Sequence, residues 1–128
     1  MKQRLTAVFA LVLLAVGSAL AHHNMSALFD FNQVVTRTGT LAQLDWRNPH
    51  IYIFVEVDNA GTAERWSFEG PPPGFFRNRN VDKPAFEGSV GKRVTVEASR
   101  ARNGSMSGLI RQVTLNDGTV VSACPQNC

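Results

Sequence analysis

Cysteine is nearly absent from this chain. Its 128 residues hold two, Cys124 and Cys128, both within the last five positions. Neither a disulfide scaffold nor a thiolate zinc site can therefore organise the body of the protein. Histidine is almost as scarce, with only His22, His23 and His50. No H-E-x-x-H pair, phosphate loop or nucleophile elbow occurs, and Ser18 and Ser26 lie in no elbow context. The carboxylates are scattered, so the sequence sets up no acid–base pair, and an enzyme is not the expectation. No apolar run reaches the roughly 20 residues of a permanent membrane span.

The longest apolar run, Ala7 to Val16, instead follows a short basic region, Lys2 and Arg4, and precedes Gly17-Ser18-Ala19-Leu20-Ala21. Small residues at Ala19 and Ala21 meet the A-x-A requirement of a signal peptidase. We expect residues 1–21 to be a cleaved signal peptide and residues 22–128 to be one periplasmic or secreted domain, with no span left after processing. No cysteine stands at the cut to take a lipid. Cleavage also changes the charge balance: the full chain has 13 basic and 10 acidic residues, and losing Lys2 and Arg4 leaves 11 against 10. A nucleic-acid partner loses its electrostatic support.

The remaining chain alternates in the manner of strands. From Val34 to Trp46 one parity carries Val34, Thr36, Thr38, Thr40, Ala42, Leu44 and Trp46, with Gly39 marking a bulge or bend. Arg47-Asn48-Pro49 breaks the run. A second strand covers His50 to Val57, Asp58-Asn59-Ala60-Gly61 makes a hairpin turn, and Ala63 to Glu69 forms a third strand with Trp66 and Phe68 on one face. Gly70-Pro71-Pro72-Pro73-Gly74 stops it. Phe75, Phe76, Val81 and Phe86 then read as a loop or short helix capping one end of a barrel. Further strands cover Arg93 to Ala98 and Leu109 to Leu115, with a short return at Thr119 to Ser122. This order predicts a mostly β fold, a small OB-like Greek-key β-barrel, with a compact β-sandwich as the alternative.

The mature start His22-His23, Phe29-Asp30, Gly39-Thr40 and Trp46-x-Asn48-Pro49-His50 resemble a family of small secreted bacterial proteins catalogued as domain of unknown function family 6152. Gly91-Lys92-Arg93-Val94-Thr95-Val96 and Val113-Thr114-Leu115-x-Asp117-Gly118 fit the same pattern. The proline-rich segment Pro71 to Pro73 and the cysteine-bearing tail depart from it. The resemblance implies export and a β domain, and supplies no activity.

The chemistry must come from the residues. Cleavage after Ala21 gives His22 a free α-amine, which with its own ring Nδ1 can chelate one metal in a six-membered ring. A second imidazole completes a histidine brace, and amine and imidazole nitrogens in a plane favour copper. The amine has a reference pKa of about 7.7–8.0, so metal displaces a proton and binding weakens in acid. His50, after a proline corner, is the better second imidazole and His23 the weaker. Met25 offers a thioether suited to Cu(I). Asp45 or Glu69 can serve as an outer-sphere partner, and nothing in the sequence places either. Cutting after Ala19 instead would put His22 third, in a different copper chelate.

The competing reading gives these histidines no metal. Exposed termini are often frayed, and a histidine at a strand start commonly bonds only a backbone group. The protein is then a non-enzymatic module binding a ligand or periplasmic protein through Trp46, Tyr52, Phe54 and Trp66, although Trp46 and Trp66 also read as core. Cys124-x3-Cys128 reads as a small disulfide loop, with thiolate binding of Cu(I) as its alternative. Arg77-Asn78-Arg79-Asn80 beside Phe75-Phe76 is a solvated loop or, on an OB barrel, a single-strand contact.

Overall fold

The computed structural model describes residues 25–124. A helical turn at residues 25–28 leads into β1 (Phe29–Asp45), β2 (Tyr52–Asn59) and β3 (Thr62–Glu69). Two short helices follow, α1 (Pro73–Arg77) and α2 (Lys83–Glu87), then β4 (Arg93–Ala101), β5 (Ser107–Thr114) and β6 (Val120–Ser122). Proline at the start of each helix supplies a preset φ where no amide donor is needed. The β2–β3 hairpin closes through Ala60 and Gly61, both at positive φ (51° and 86°), and the side chain of Asp58 accepts the Gly61 amide at 2.8 Å. That backbone matches the twist of the flanking strands.

The sheet runs β3-β2-β1-β4-β5-β6, and a parallel pairing of β3 with β5 closes the first five strands into a ring. Registered partners lead from Asp45 to Tyr52, Glu69, Leu109, Ser99 and back to β1 at Val34. The return far from the starting residue is the stagger that a small closed barrel requires. The OB-like barrel read from the sequence is therefore the observed architecture.

Strand β1 serves both halves of the ring. Its residues up to Thr40 pair with β4, and those from Thr40 to Asp45 pair with β2. The structure revises the expected face of this strand. Leu41 is fully buried and Val35 packs against the core, while Val34 is exposed. The register skips a residue between Leu41 and Gln43, so parity reverses and Leu44 and Trp46 also turn towards the core. A bulge inserts one residue and exchanges the two faces beyond it. Upstream, Thr38 and Thr95 face each other across the ladder, their hydroxyls 2.9 Å apart.

The ring is filled by Leu41, Ile53, Val55, Trp66, Phe68, Val94, Val96, Ile110 and Val113. One end is closed by aromatic rings: Trp46 lies 5.4 Å from Phe76 and 5.3 Å from Phe86, and those two phenyl rings meet edge to face at 5.5 Å. The expected cap is present, with Phe75 and Val81 packed at its margin. Among the described residues no helix is long and apolar enough to cross a membrane.

Candidate functional site

The connection from β1 to β2 holds the one histidine that the structure describes. Arg47-Asn48-Pro49 turns the chain through a cis peptide before Pro49, and Ile51 then anchors it. Ile51 is fully buried, its amide donates to the Pro71 carbonyl, and its carbonyl accepts the Gly70 amide at 2.9 Å. This clip fastens the residue after His50 to the segment after Glu69. Across the hairpin, Tyr52 is registered with Glu69. His50 and Glu69 consequently meet, with Nδ1 of the ring against Oε1 of the carboxylate. Their side chains are 31% and 14% exposed, so Glu69 is sheltered and the imidazole is partly exposed.

An ionised carboxylate can only accept a hydrogen bond, so Nδ1 is the donor in this contact, and in the neutral ring that leaves the lone pair on Nε2. Among the described residues Nε2 has no hydrogen-bond partner. Asp45 stands opposite Tyr52 on β1 and pairs with Arg47 at 2.6 Å. It does not touch His50, and Glu69 is the carboxylate that does.

Tyr52 reports on the same corner. Burial raises its pKa, and the charge and hydrogen bonding of Glu69 raise it further, against a lowering by Arg47. A folded-state value above the unfolded one favours the neutral phenol in the native protein. The associated stability is present below the unfolded tyrosine pKa and is lost as pH rises through the folded value. Tyr52 is the only tyrosine in the chain, so phenolate absorbance titrates it alone. We expect a midpoint above the ordinary tyrosine value, moving down in Glu69→Gln; an unchanged midpoint in that variant would separate the two side chains.

The other expected site residues are distributed differently. His22 and His23 lie outside the described residues, as does Cys128. Cys124 is disulfide-bonded and does not titrate as a thiol. Met25 sits in the helical turn before β1, which Arg102 fastens by donating from its backbone to the Leu28 carbonyl and from its side chain to the Ser26 carbonyl, both at 2.9 Å. β4 and β5 separate this turn from Glu69 in the sheet. Among the described residues no group of three or more His, Cys, Asp and Glu side chains is arranged to hold a metal.

The aromatic candidates are largely engaged within the fold. Trp66 is buried, stacks on Phe68 at 5.9 Å, and carries the Arg37 guanidinium 4.2 Å from its ring centre. Phe54 lies beneath Arg65, and Arg79 covers Phe75 at 3.7 Å while donating to its carbonyl. An open, polar depression of about 300 Å³ lies between Thr36, Arg37, Thr38 and the β2–β3 turn, away from His50. Its carboxylates are already committed: Glu64 accepts from Trp66 and Asn59, which hold its pKa below the ordinary carboxylate value.

The partnership of His50 and Glu69 was accessible to counting. A two-residue loop at Ala60-Gly61 pairs Asn59 with Thr62, and stepping back along both strands brings Tyr52 opposite Glu69. That places Glu69 within side-chain reach of the residue two before Tyr52.

A family model described as a family of unknown function, DUF6152, matches residues 10–112. No curated protein and no solved structure matches.

Proposed function

We propose, for a chain that belongs to the family of unknown function DUF6152, that it is an exported β-barrel domain that binds copper. His50 supplies one imidazole nitrogen, and the α-amine and ring of His22, freed by cleavage after Ala21, supply the others. His23 is the reserve donor, whereas Met25, on the turn before β1, is two strands away from Glu69. The observation that carries this reading is the contact between Glu69 and Nδ1 of His50. Metal-bound histidines commonly donate their second ring N–H to a carboxylate, which fixes the ring and raises the basicity of the ligating nitrogen. Here that arrangement is built at a partly open corner, with Nε2 as the available donor.

The test uses the processed protein purified from periplasm, with its N-terminus confirmed by mass. Cu(II) titration against a competing chelator is expected to show tight one-to-one binding. One extra residue before His22 removes the free-amine chelate, and His50→Ala removes the second imidazole. Each is expected to weaken binding more than about 100-fold, beyond the usual effect of losing only an outer partner. Unchanged affinity in both variants would refute the copper site.

A further inference from the structure

Outside the His50 corner, the turn between β4 and β5 carries a reactive pair of residues. Asn103 is the only asparagine of the chain followed by glycine. Its side-chain Oδ1 accepts the backbone amide of Ser105 at 3.0 Å, which polarises the carboxamide carbonyl. Gly104 stands at a positive φ of 78° with open space where a Cβ would lie, so it has no side chain to crowd its own nitrogen. Its N–H donates to the Ala101 carbonyl at 3.3 Å, beyond the usual range, and is weakly held.

Asp117-Gly118-Thr119 forms a matching turn. The Thr119 amide donates to Oδ1 of Asp117 at 2.9 Å, and Gly118 stands at φ 88° in open space. There the side chain is a carboxylate, held below its ordinary pKa by the hydrogen bonds from Thr119. An ionised carboxylate repels an attacking amide anion and offers no leaving group. Asn103 offers both an uncharged carbonyl and a leaving nitrogen.

We propose that Asn103 is a self-modification site: it deamidates through a succinimide formed with Gly104, and the isoaspartyl link left behind loosens the closing seam of the barrel. The Gly104 nitrogen gives its proton to a solvent base and bonds to Cγ of Asn103. Negative charge gathers on Oδ1, where the Ser105 N–H already donates. The Cγ–Nδ2 bond then breaks, and that nitrogen takes up a proton and leaves as ammonia. Water opens the ring at either carbonyl. Opening at Cγ gives aspartate; opening at the backbone carbon gives isoaspartate, with the main chain rerouted through Cβ and Cγ. One water is consumed and one ammonia released, with no change of oxidation state.

The position gives this product leverage. Just beyond the turn, the Met106 carbonyl accepts the Ser67 amide at 3.0 Å and Ser107 is registered with Ser67, the pairing that closes the ring. Just before it, Arg102 fastens the helical turn that precedes β1. A longer backbone at residue 103 disturbs both attachments.

The purified protein is aged in mildly alkaline buffer made with heavy-oxygen water and mapped by peptide mass. Asn103 is expected to be the first asparagine to exchange amide for carboxyl, with label taken from the solvent and isoaspartate read by enzymatic methylation. Its loss should accelerate as pH rises, because the attacking nitrogen must be deprotonated. Gly104→Ala should slow it about tenfold, equivalent to about 1.4 kcal/mol of barrier. Asp117→Asn should create a second reactive site of similar rate, and guards against a Gly104 variant that folds poorly. The isoaspartyl fraction should melt below the parent, while Asn103→Asp, which adds the charge without lengthening the backbone, melts with it. An Asn103 that outlasts the other asparagines, or yields aspartate alone, overturns the proposal, as does an inert Asp117→Asn turn. An isoaspartyl fraction that melts with the parent overturns the effect on the seam.

Discussion

Gly39→Ala is expected to lower the urea midpoint of unfolding by an amount equivalent to about 3 kcal/mol, the upper end of what overpacking usually costs. A Cβ at this position would lie 2.1 Å from the carbonyl oxygen of Glu56 and 2.8 Å from its carbon. Both are backbone atoms of β2, so no side-chain rotation relieves the clash. Gly39 sits beside Thr40, the residue at which β1 passes from pairing with β4 to pairing with β2. Gly61→Ala is the control. It has a positive φ of 86° but open space around it, so only backbone strain of about 1 kcal/mol applies. If the two variants unfold at the same midpoint, the close approach at Gly39 is not a constraint on the barrel. The same ladder runs on from Thr40–Glu56 to Asp45–Tyr52, so the change should also loosen the corner that holds His50.

Much of the barrel was legible because its strands end at turns whose residue types have a physical meaning. Asp58-Asn59-Ala60-Gly61 supplies an aspartate acceptor and two residues at positive φ, and Asn103-Gly104 places a glycine at φ 78°. The phase of β1 was not legible. A period of two identifies a strand, but the skip between Leu41 and Gln43 reverses its faces, and the break in pairing between Asp30 and Val34 hides its true start at Phe29. The skip between Leu41 and Gln43 falls just after Thr40, where the strand changes neighbours, so it answers to the closed ring rather than to local propensity. The site divides along a similar line. His50 was visible as a rare residue type after a proline break. Glu69 was one of two carboxylates that the sequence left equivalent, and the hairpin register separates them: Glu69 reaches the ring, whereas Asp45 turns to Arg47.

The aromatic cap should be the other point of greatest sensitivity, and it connects stability to the His50 corner. Phe76→Ala is expected to cost about 3–5 kcal/mol, the usual range for truncating a buried phenylalanine. Phe76 is 1% exposed and meets Trp46, Phe75 and Phe86 at ring distances of 5.4, 5.4 and 5.5 Å. For a domain of ordinary stability, about 5–15 kcal/mol, this is a large share of the total. Phe75→Ala is the comparison. Phe75 lies at the margin of the same cluster with Arg79 over its outer face, so its loss removes a peripheral contact and a cation–π pair worth about 0.5–1 kcal/mol. The effect of Phe76 should extend beyond melting. Trp46 immediately precedes the turn to His50, and α1 follows the segment clipped to Ile51, so the ring of Phe76 fastens the two stretches whose meeting puts His50 against Glu69. In the folded fraction of Phe76→Ala, the Tyr52 titration midpoint should therefore fall towards the ordinary tyrosine value, while Phe75→Ala leaves it in place. A destabilised Phe76→Ala with an unmoved Tyr52 midpoint would show that the cap supports the barrel without shaping the site.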